Sequence, residues 1–285
     1  MLGLPSGLIW QDFIQDPPLV LTINNCVGWW DFTDASTMYT NWNPTSGSPD
    51  YTPLPPTGTP SNGDEVERID NKAYTLQGQT TTALGSYLLG INAEYNTGGA
   101  NSKSYIELWG AGSRFHAGLA GHGGMTVETA HENTWPLSTT TVSLDNFTIF
   151  LVADSKHTDG RAFSIFGDKE DVNDSSRKEF HLYYDIVNPV AGQYKMDCYD
   201  GSTTTTISSG TTGKSDSLHI ITGVLSGSGD SQLYRDGDNT DGTTSASSGS
   251  GSIDITHDDP DLHQKENRIV IGRNLNLGSV SDSTT

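Results

Sequence analysis

A chain of 285 residues with 33% hydrophobic side chains, 32 glycines and 12 prolines can bury one sizeable core, and must surround it with long polar loops. Its 35 acidic against 15 basic residues leave a net charge of −20. That balance argues against nucleic acid and against anionic membranes as partners, because nothing would replace the counterions around phosphates.

Residues 1–24 read as an arm in which Pro5, Pro17 and Pro18 interrupt regular structure. The first ten residues lack a basic start and a continuous apolar run, so they are not a secretory signal, and no stretch of the chain is apolar over a membrane span. Leu4, Leu8, Ile9, Trp10 and Phe13 are too apolar for a solvated tail. They either dock onto a larger particle or pack back on the domain's own core. Cys26–Phe32 reads as the first strand. Cys26 and Cys198 stand far apart in sequence and read as free, partly buried thiols of a chain made in a reducing cytoplasm.

Six prolines between residues 43 and 64 predict a long irregular loop, followed by a short strand or turn at Val66–Asp70. Ser104–Trp109 alternates strictly, with Ile106 and Leu108 on one face and Tyr105, Glu107 and Trp109 on the other. From Phe147 onward the chain reads as antiparallel strands separated by turn residues. These are Phe147–Asp154, Glu179–Tyr184, Ser217–Leu225, Gln232–Gly237 and Asn267–Arg273. Phe147–Ala153 is apolar on both faces, which predicts a central strand covered on both sides. Residues 238–252 are nearly all Ser, Thr, Gly and Asp and read as a flexible loop. Such a series implies two packed antiparallel sheets in one domain over residues 25–285, with 1–24 as its arm.

The order of several short motifs carries a resemblance. Trp30-Asp-Phe-Thr-Asp-Ala-Ser-Thr37 is followed by Asn146-Phe-Thr-Ile-Phe-Leu-Val152 and Ser217-Leu-His-Ile-Ile-Thr222. Ser231-Gln-Leu-Tyr-Arg-Asp-Gly237 and Ile269-Val-Ile-Gly-Arg273 come after them. Together they resemble the concanavalin A-like (laminin-G-type) jelly roll found in bacteriophage virion proteins. The resemblance implies an all-β, two-sheet jelly-roll sandwich. It departs from the pattern at Gly278–Thr285, where a further apolar strand would close the sheet. The closing edge could come from the arm, from a neighbouring chain, or be left open.

Chemistry-bearing patterns are sparse. Enzymes of the resembled fold carry alternating acids on one strand, with carboxylates about 5 Å apart. Glu65 and Glu67 share a face but follow a loop, and read as a solvated edge. His116, His122 and His131 have no zinc spacing. Asp236, Asp238 and Asp241 place three carboxylates in a compact Gly-permitted loop, a candidate calcium site. The competing reading is turn chemistry at Asp236-Gly237. Asp258, Asp259 and Asp261 share that ambiguity. Tyr105 and Trp109 are the best platform for sugar rings, whereas Trp29 or Trp30 reads as core. The expected function is a non-enzymatic virion structural protein of a bacteriophage, such as a capsid decoration protein, fibre or tail adhesin. Its partners would be other virion proteins in a homo-oligomer. The alternative is a lectin module recognising host surface glycans.

Overall fold

The computed structural model describes residues 26, 28–41, 57–73, 87–108, 114–117, 141–143, 146–153, 160–166, 179–188, 191–199, 204–209, 212–213, 218–226, 231–238, 242–243, 252–254 and 269–272. In them the chain is almost entirely antiparallel β-structure, with only short helical turns. The strands in chain order are β1 (Met38–Tyr39), β2 (Arg68–Asp70), β3 (Tyr87–Ile91), β4 (Ala93–Asn96), β5 (Tyr105–Leu108) and β6 (Arg114–Ala117). Next come β7 (Thr141–Ser143), β8 (Asn146–Ala153), β9 (Gly160–Phe166), β10 (Glu179–Asn188), β11 (Ala191–Tyr199) and β12 (Thr204–Ser209). The last six are β13 (Thr212–Gly213), β14 (His219–Ser226), β15 (Gln232–Arg235), β16 (Gly242–Thr243), β17 (Ser252–Asp254) and β18 (Ile269–Ile271).

The larger sheet has the order β1-β2-β3-β6-β18-β9-β10-β11-β12-β16, with β13 also on β11. The C-terminal strand β18 therefore lies mid-sheet, between β6 and β9. A second sheet has the order β15-β14-β8, and β7–β17 and β4–β5 form two further pairs. Period-two alternation explains how the two main sheets meet. Phe180, Leu182 and Tyr184 of β10, with Tyr194, Met196 and Cys198 of β11, point into one core. Ile221, Leu225 and Leu233 meet them from the smaller sheet, with Phe147, Ile149 and Leu151 packed alongside.

Particular contacts set the alignment. Phe147 of β8 meets Phe180 of β10 edge-on at 4.9 Å between ring centroids. β14 crosses β11 at Gly223, where an added Cβ would stand 2.8 Å from Met196 Sδ and 3.1 Å from Ile149 Cγ2. β15 lies beside β12. The smaller sheet thus stacks β15, β14 and β8 over β12, β11 and β10 in turn.

Three expectations are corrected. Cys26–Phe32 is not a strand in its described residues; residues 28–34 run as loop and turn, because Asp31 and Asp34 bond their own following backbone. Phe147–Ala153 is a strand, but only its inner face is covered: Phe150 is 63% and Val152 59% exposed. Among the described residues β8 pairs with β14 alone. Residues 238–252 include short paired strands at β16 and at the start of β17, since their Thr, Ser and Gly residues meet β12 and β7. The remaining predicted strands form where expected, within a few residues at their ends. Both cysteines are free thiols, Cys26 half-buried and Cys198 buried.

Candidate functional site

The strands β10 and β11 carry two different faces. Opposite the apolar row, His181 and Tyr183 of β10 register against Asp197 and Lys195 of β11, and Glu179 against Tyr199. Asp197 is 3% exposed. Its Oδ2 accepts a hydrogen bond from the Tyr183 hydroxyl at 2.9 Å, while Oδ1 has no partner among the described residues. A buried carboxylate oxygen without a donor is costly unless something supplies one. Tyr183, Lys195 and Tyr199 are only half-buried, so the face is partly open to solvent. Asp197 stands across from a histidine rather than a second carboxylate. The arrangement offers an acceptor, donors and aromatic rings, the set that recognises hydroxyl-bearing ligands. The signal lay in the alternation of Gln193-Tyr-Lys-Met-Asp-Cys-Tyr199, whose odd positions are polar or amphipathic.

The opening motif, by contrast, is engaged with itself. Lys72 Nζ bridges Asp31 Oδ2 at 2.9 Å and Asp34 Oδ2 at 2.7 Å, and lies 4.6 Å from the centre of the Trp29 ring. Asp31 Oδ1 accepts from the amide and hydroxyl of Thr33, and Asp34 Oδ1 from those of Ser36. Trp29 N donates to Asn71 Oδ1, and Lys72 N to Trp29 O. Burial pushes both carboxyls up, but Lys72 and these donors outweigh it and hold both below the usual carboxylate range. Trp30 and Phe32 pack against the core, in line with the core reading for Trp30. Lys72 gives no local sequence signal, because its partners lie about 40 residues away in the chain.

A second cluster joins β1, β2 and β3. Arg68 pairs with Asp70 at 2.7 Å, and its guanidinium stacks 4.0 Å from the Tyr87 ring centre. Tyr39 donates to Asp70 Oδ2. Burial pushes the Tyr87 phenol up to about 12, with Asp70 adding to the shift and Arg68 opposing it.

The acidic loop divides. Asp236 and Gly237 have φ of +53° and +81°, and Arg235 and Asp238 exchange both backbone hydrogen bonds around them. This is the two-residue turn expected of Asp-Gly. Asp236 Oδ1 accepts from Ile220 N at 2.9 Å and Oδ2 lies 2.6 Å from His219 Nδ1. Burial raises the Asp236 carboxyl, but the Ile220 amide and His219 together outweigh it and draw it down. Asp241 lies outside the described residues, and no group of three or more metal-binding side chains gathers among those described. Glu65 Oε1 caps Asn92 N at 2.8 Å.

Of the sugar platform, Tyr105 is 41% exposed on β5, with Ile106 and Leu108 packed against the core beneath it. Trp109 lies outside the described residues, as do Leu4, Leu8, Ile9, Trp10 and Phe13 of the arm. The sequence reading also missed the outer face of β8 and β14. Phe150, Val152, Leu218 and Ile220 are all large, apolar and about half or more exposed. Val152 faces Ile220 and Phe150 faces Thr222 across the ladder. Thr148 and Val224, with Gln232 and Tyr234 of β15, complete an uncharged face, with Asp236 at its end beside Ile220. No protein family, no curated protein and no solved structure matches this chain.

Proposed function

We propose that this chain is a non-enzymatic virion structural protein of a bacteriophage, a jelly-roll sandwich that seats its exposed apolar face on a neighbouring virion protein. The outer face of β8-β14-β15 carries this reading. In a chain of net charge −20, a contiguous uncharged face with Phe150, Val152, Leu218 and Ile220 exposed is the feature expected of an interaction surface. The acidic remainder keeps free copies soluble and apart. The resemblance in motif order supports the virion assignment. The test is co-sedimentation with assembled particles. Phe150→Asp with Ile220→Asp leaves a folded protein that no longer sediments, and undiminished co-sedimentation overturns the reading.

A second reading, recognition of host glycans, is supported by the polar face of β10 and β11. There the unpartnered Asp197 Oδ1 lies beside the Tyr183 hydroxyl. Under it, Asp197→Ala abolishes binding on a glycan array while the outer-face variant retains it. A calcium ion at Asp236, Asp238 and Asp241 is compatible with either reading only where it displaces His219 from Asp236 Oδ2.

A further inference from the structure

Arg68 and Tyr87 gather hydrogen-bond donors for which the fold supplies no acceptor. β1, β2 and β3 put Met38, Ile69 and Leu88 into the core. Alternation therefore places Tyr39, Arg68, Asp70 and Tyr87 together on the opposite face. The guanidinium is fixed there by its neighbours. Its Nε and Nη2 both contact Asp70 Oδ1 at 2.7 Å, and the ring centres of Tyr87 and Tyr39 lie 4.0 and 5.6 Å from its central carbon.

A guanidinium has two donor edges, and Asp70 occupies only the one formed by Nε and Nη2. The other, made by Nη1 and the outer proton of Nη2, meets no acceptor among the described residues, and Nη1 is not enclosed. The Arg68 side chain keeps 13% of its surface in solvent and that of Asp70 19%. Tyr87 adds a donor beside this edge. It is 7% exposed, and its hydroxyl has no partner among the described residues. Burial pushes the phenol up to about 12, so it keeps its proton at neutral pH. A buried hydroxyl without an acceptor is costly until one is brought to it. Asp70 offers the complement: its Oδ2 accepts from the Tyr39 hydroxyl alone, which leaves a lone pair for a second hydroxyl.

These groups define the ligand. A planar group with two oxygens matches the open edge of Arg68, and an adjacent hydroxyl matches Asp70. A simple carboxylic acid has the first without the second, and a neutral sugar the second without the first. Asp70 already balances the charge of Arg68, and the chain carries −20, so a singly charged group is favoured over a phosphate or sulfate dianion. We propose that Arg68, Tyr87 and Asp70 form a binding site for a carboxylate-bearing sugar. Its carboxylate sits on the open Arg68 edge and takes the Tyr87 hydroxyl, while a neighbouring ring hydroxyl donates to Asp70 Oδ2. The site lies on other strands than the apolar face and Asp197, and stands independently of both functional readings.

Titration of the full chain with glucuronate and with N-acetylneuraminate at constant ionic strength tests this, followed by NMR at the Arg68 side chain and the β1–β3 amides. At least one of the two acids gives saturable shifts there. Glucose gives none, and acetate binds at least about tenfold more weakly than that acid. Tyr87→Phe keeps the ring under the guanidinium but removes its donor, and weakens the acid about tenfold. Arg68→Lys keeps the charge without the fork and weakens it at least as much. Should Arg68→Lys fail to fold, Tyr87→Phe decides alone. No saturable shift with either acid, equal binding of acetate or glucose, or undiminished affinity in Tyr87→Phe overturns the proposal. Tighter binding of an acidic peptide assigns the edge to a protein carboxylate and also overturns it. Asp197→Ala retains the binding, which keeps a failure here separate from a failure of the glycan reading at β10 and β11.

Discussion

The clip around Lys72 and the outer face of β8-β14-β15 use their residues in opposite ways. In the clip, two aspartates, a lysine and a tryptophan look like chemistry, yet the contacts of Lys72, Asp31 and Asp34 are internal to the protein. On the outer face, Phe150, Val152 and Ile220 look like core, yet they are exposed. Residue type alone therefore misplaces both. What separates them is whether each group's natural partner, a counter-charge or an apolar neighbour, is already supplied by the fold.

The sharpest way to break the comparison is to remove the counter-charge. Lys72→Met leaves Asp31 and Asp34 facing each other, partly exposed and without their cation, and costs about 1–3 kcal/mol of stability in chemical denaturation. The pH dependence has a definite sign. Both carboxyls sit below their ordinary 3.8 in the folded state, so their contribution is full above that value and is lost as pH falls through the lower folded pKa. The wild type therefore loses stability below about pH 4 more steeply than Lys72→Met does. Parallel acid titrations of the two proteins check this, and parallel curves sink the account.

Of similar size is the packing under the smaller sheet. Gly223→Val drives methyl groups toward Met196 Sδ and Ile149, at a cost of about 1–3 kcal/mol. It also separates the sheets locally, which increases dye binding to exposed apolar surface. Adjacent residues on β14 sharpen the contrast between faces. Ile221→Ala, at a fully buried position, costs about 2–4 kcal/mol, whereas Ile220→Ala on the outer face costs less than about 0.5 kcal/mol. Equal losses at the two positions would show that the outer face is covered in the free protein.

The reasons why some features were legible in the sequence are physical. Strands such as Glu179–Tyr184 and Gln232–Arg235 announce themselves because alternation and turn chemistry are local. The Asp236-Gly237 turn is legible for the same cause: only a few residues tolerate positive φ. The strand expected at Cys26–Phe32 fails because an apolar run with tryptophans does not reveal that Asp31 and Asp34 will bond their own backbone and turn the chain. Phe147–Ala153 fails differently. Its apolar outer row is the same in sequence whether a neighbour covers it or not, and coverage is a property of the assembled fold. Asp197 gives no signal of its burial because a lone acid on the polar row of a strand looks solvated in sequence, and Lys72 gives none because its two aspartates are distant in the chain.

The smallest expected effect concerns the acidic turn. Asp236→Asn preserves a residue that tolerates positive φ and still accepts from Ile220 N, but gives up the charged contact with His219. The site is half exposed on the aspartate side, so the loss is about 0.5–1 kcal/mol. Both Asp236 oxygens are already engaged by Ile220 N and His219. A calcium ion at Asp236, Asp238 and Asp241 must therefore displace His219 from Oδ2 before it gains a ligand. The geometry predicts that the His219 side-chain resonances stay unmoved in about 1 mM calcium. A shift of those resonances that EDTA reverses, and that Asp236→Asn abolishes, would show the metal winning over the histidine and would place this turn with the outward-acting features of the molecule.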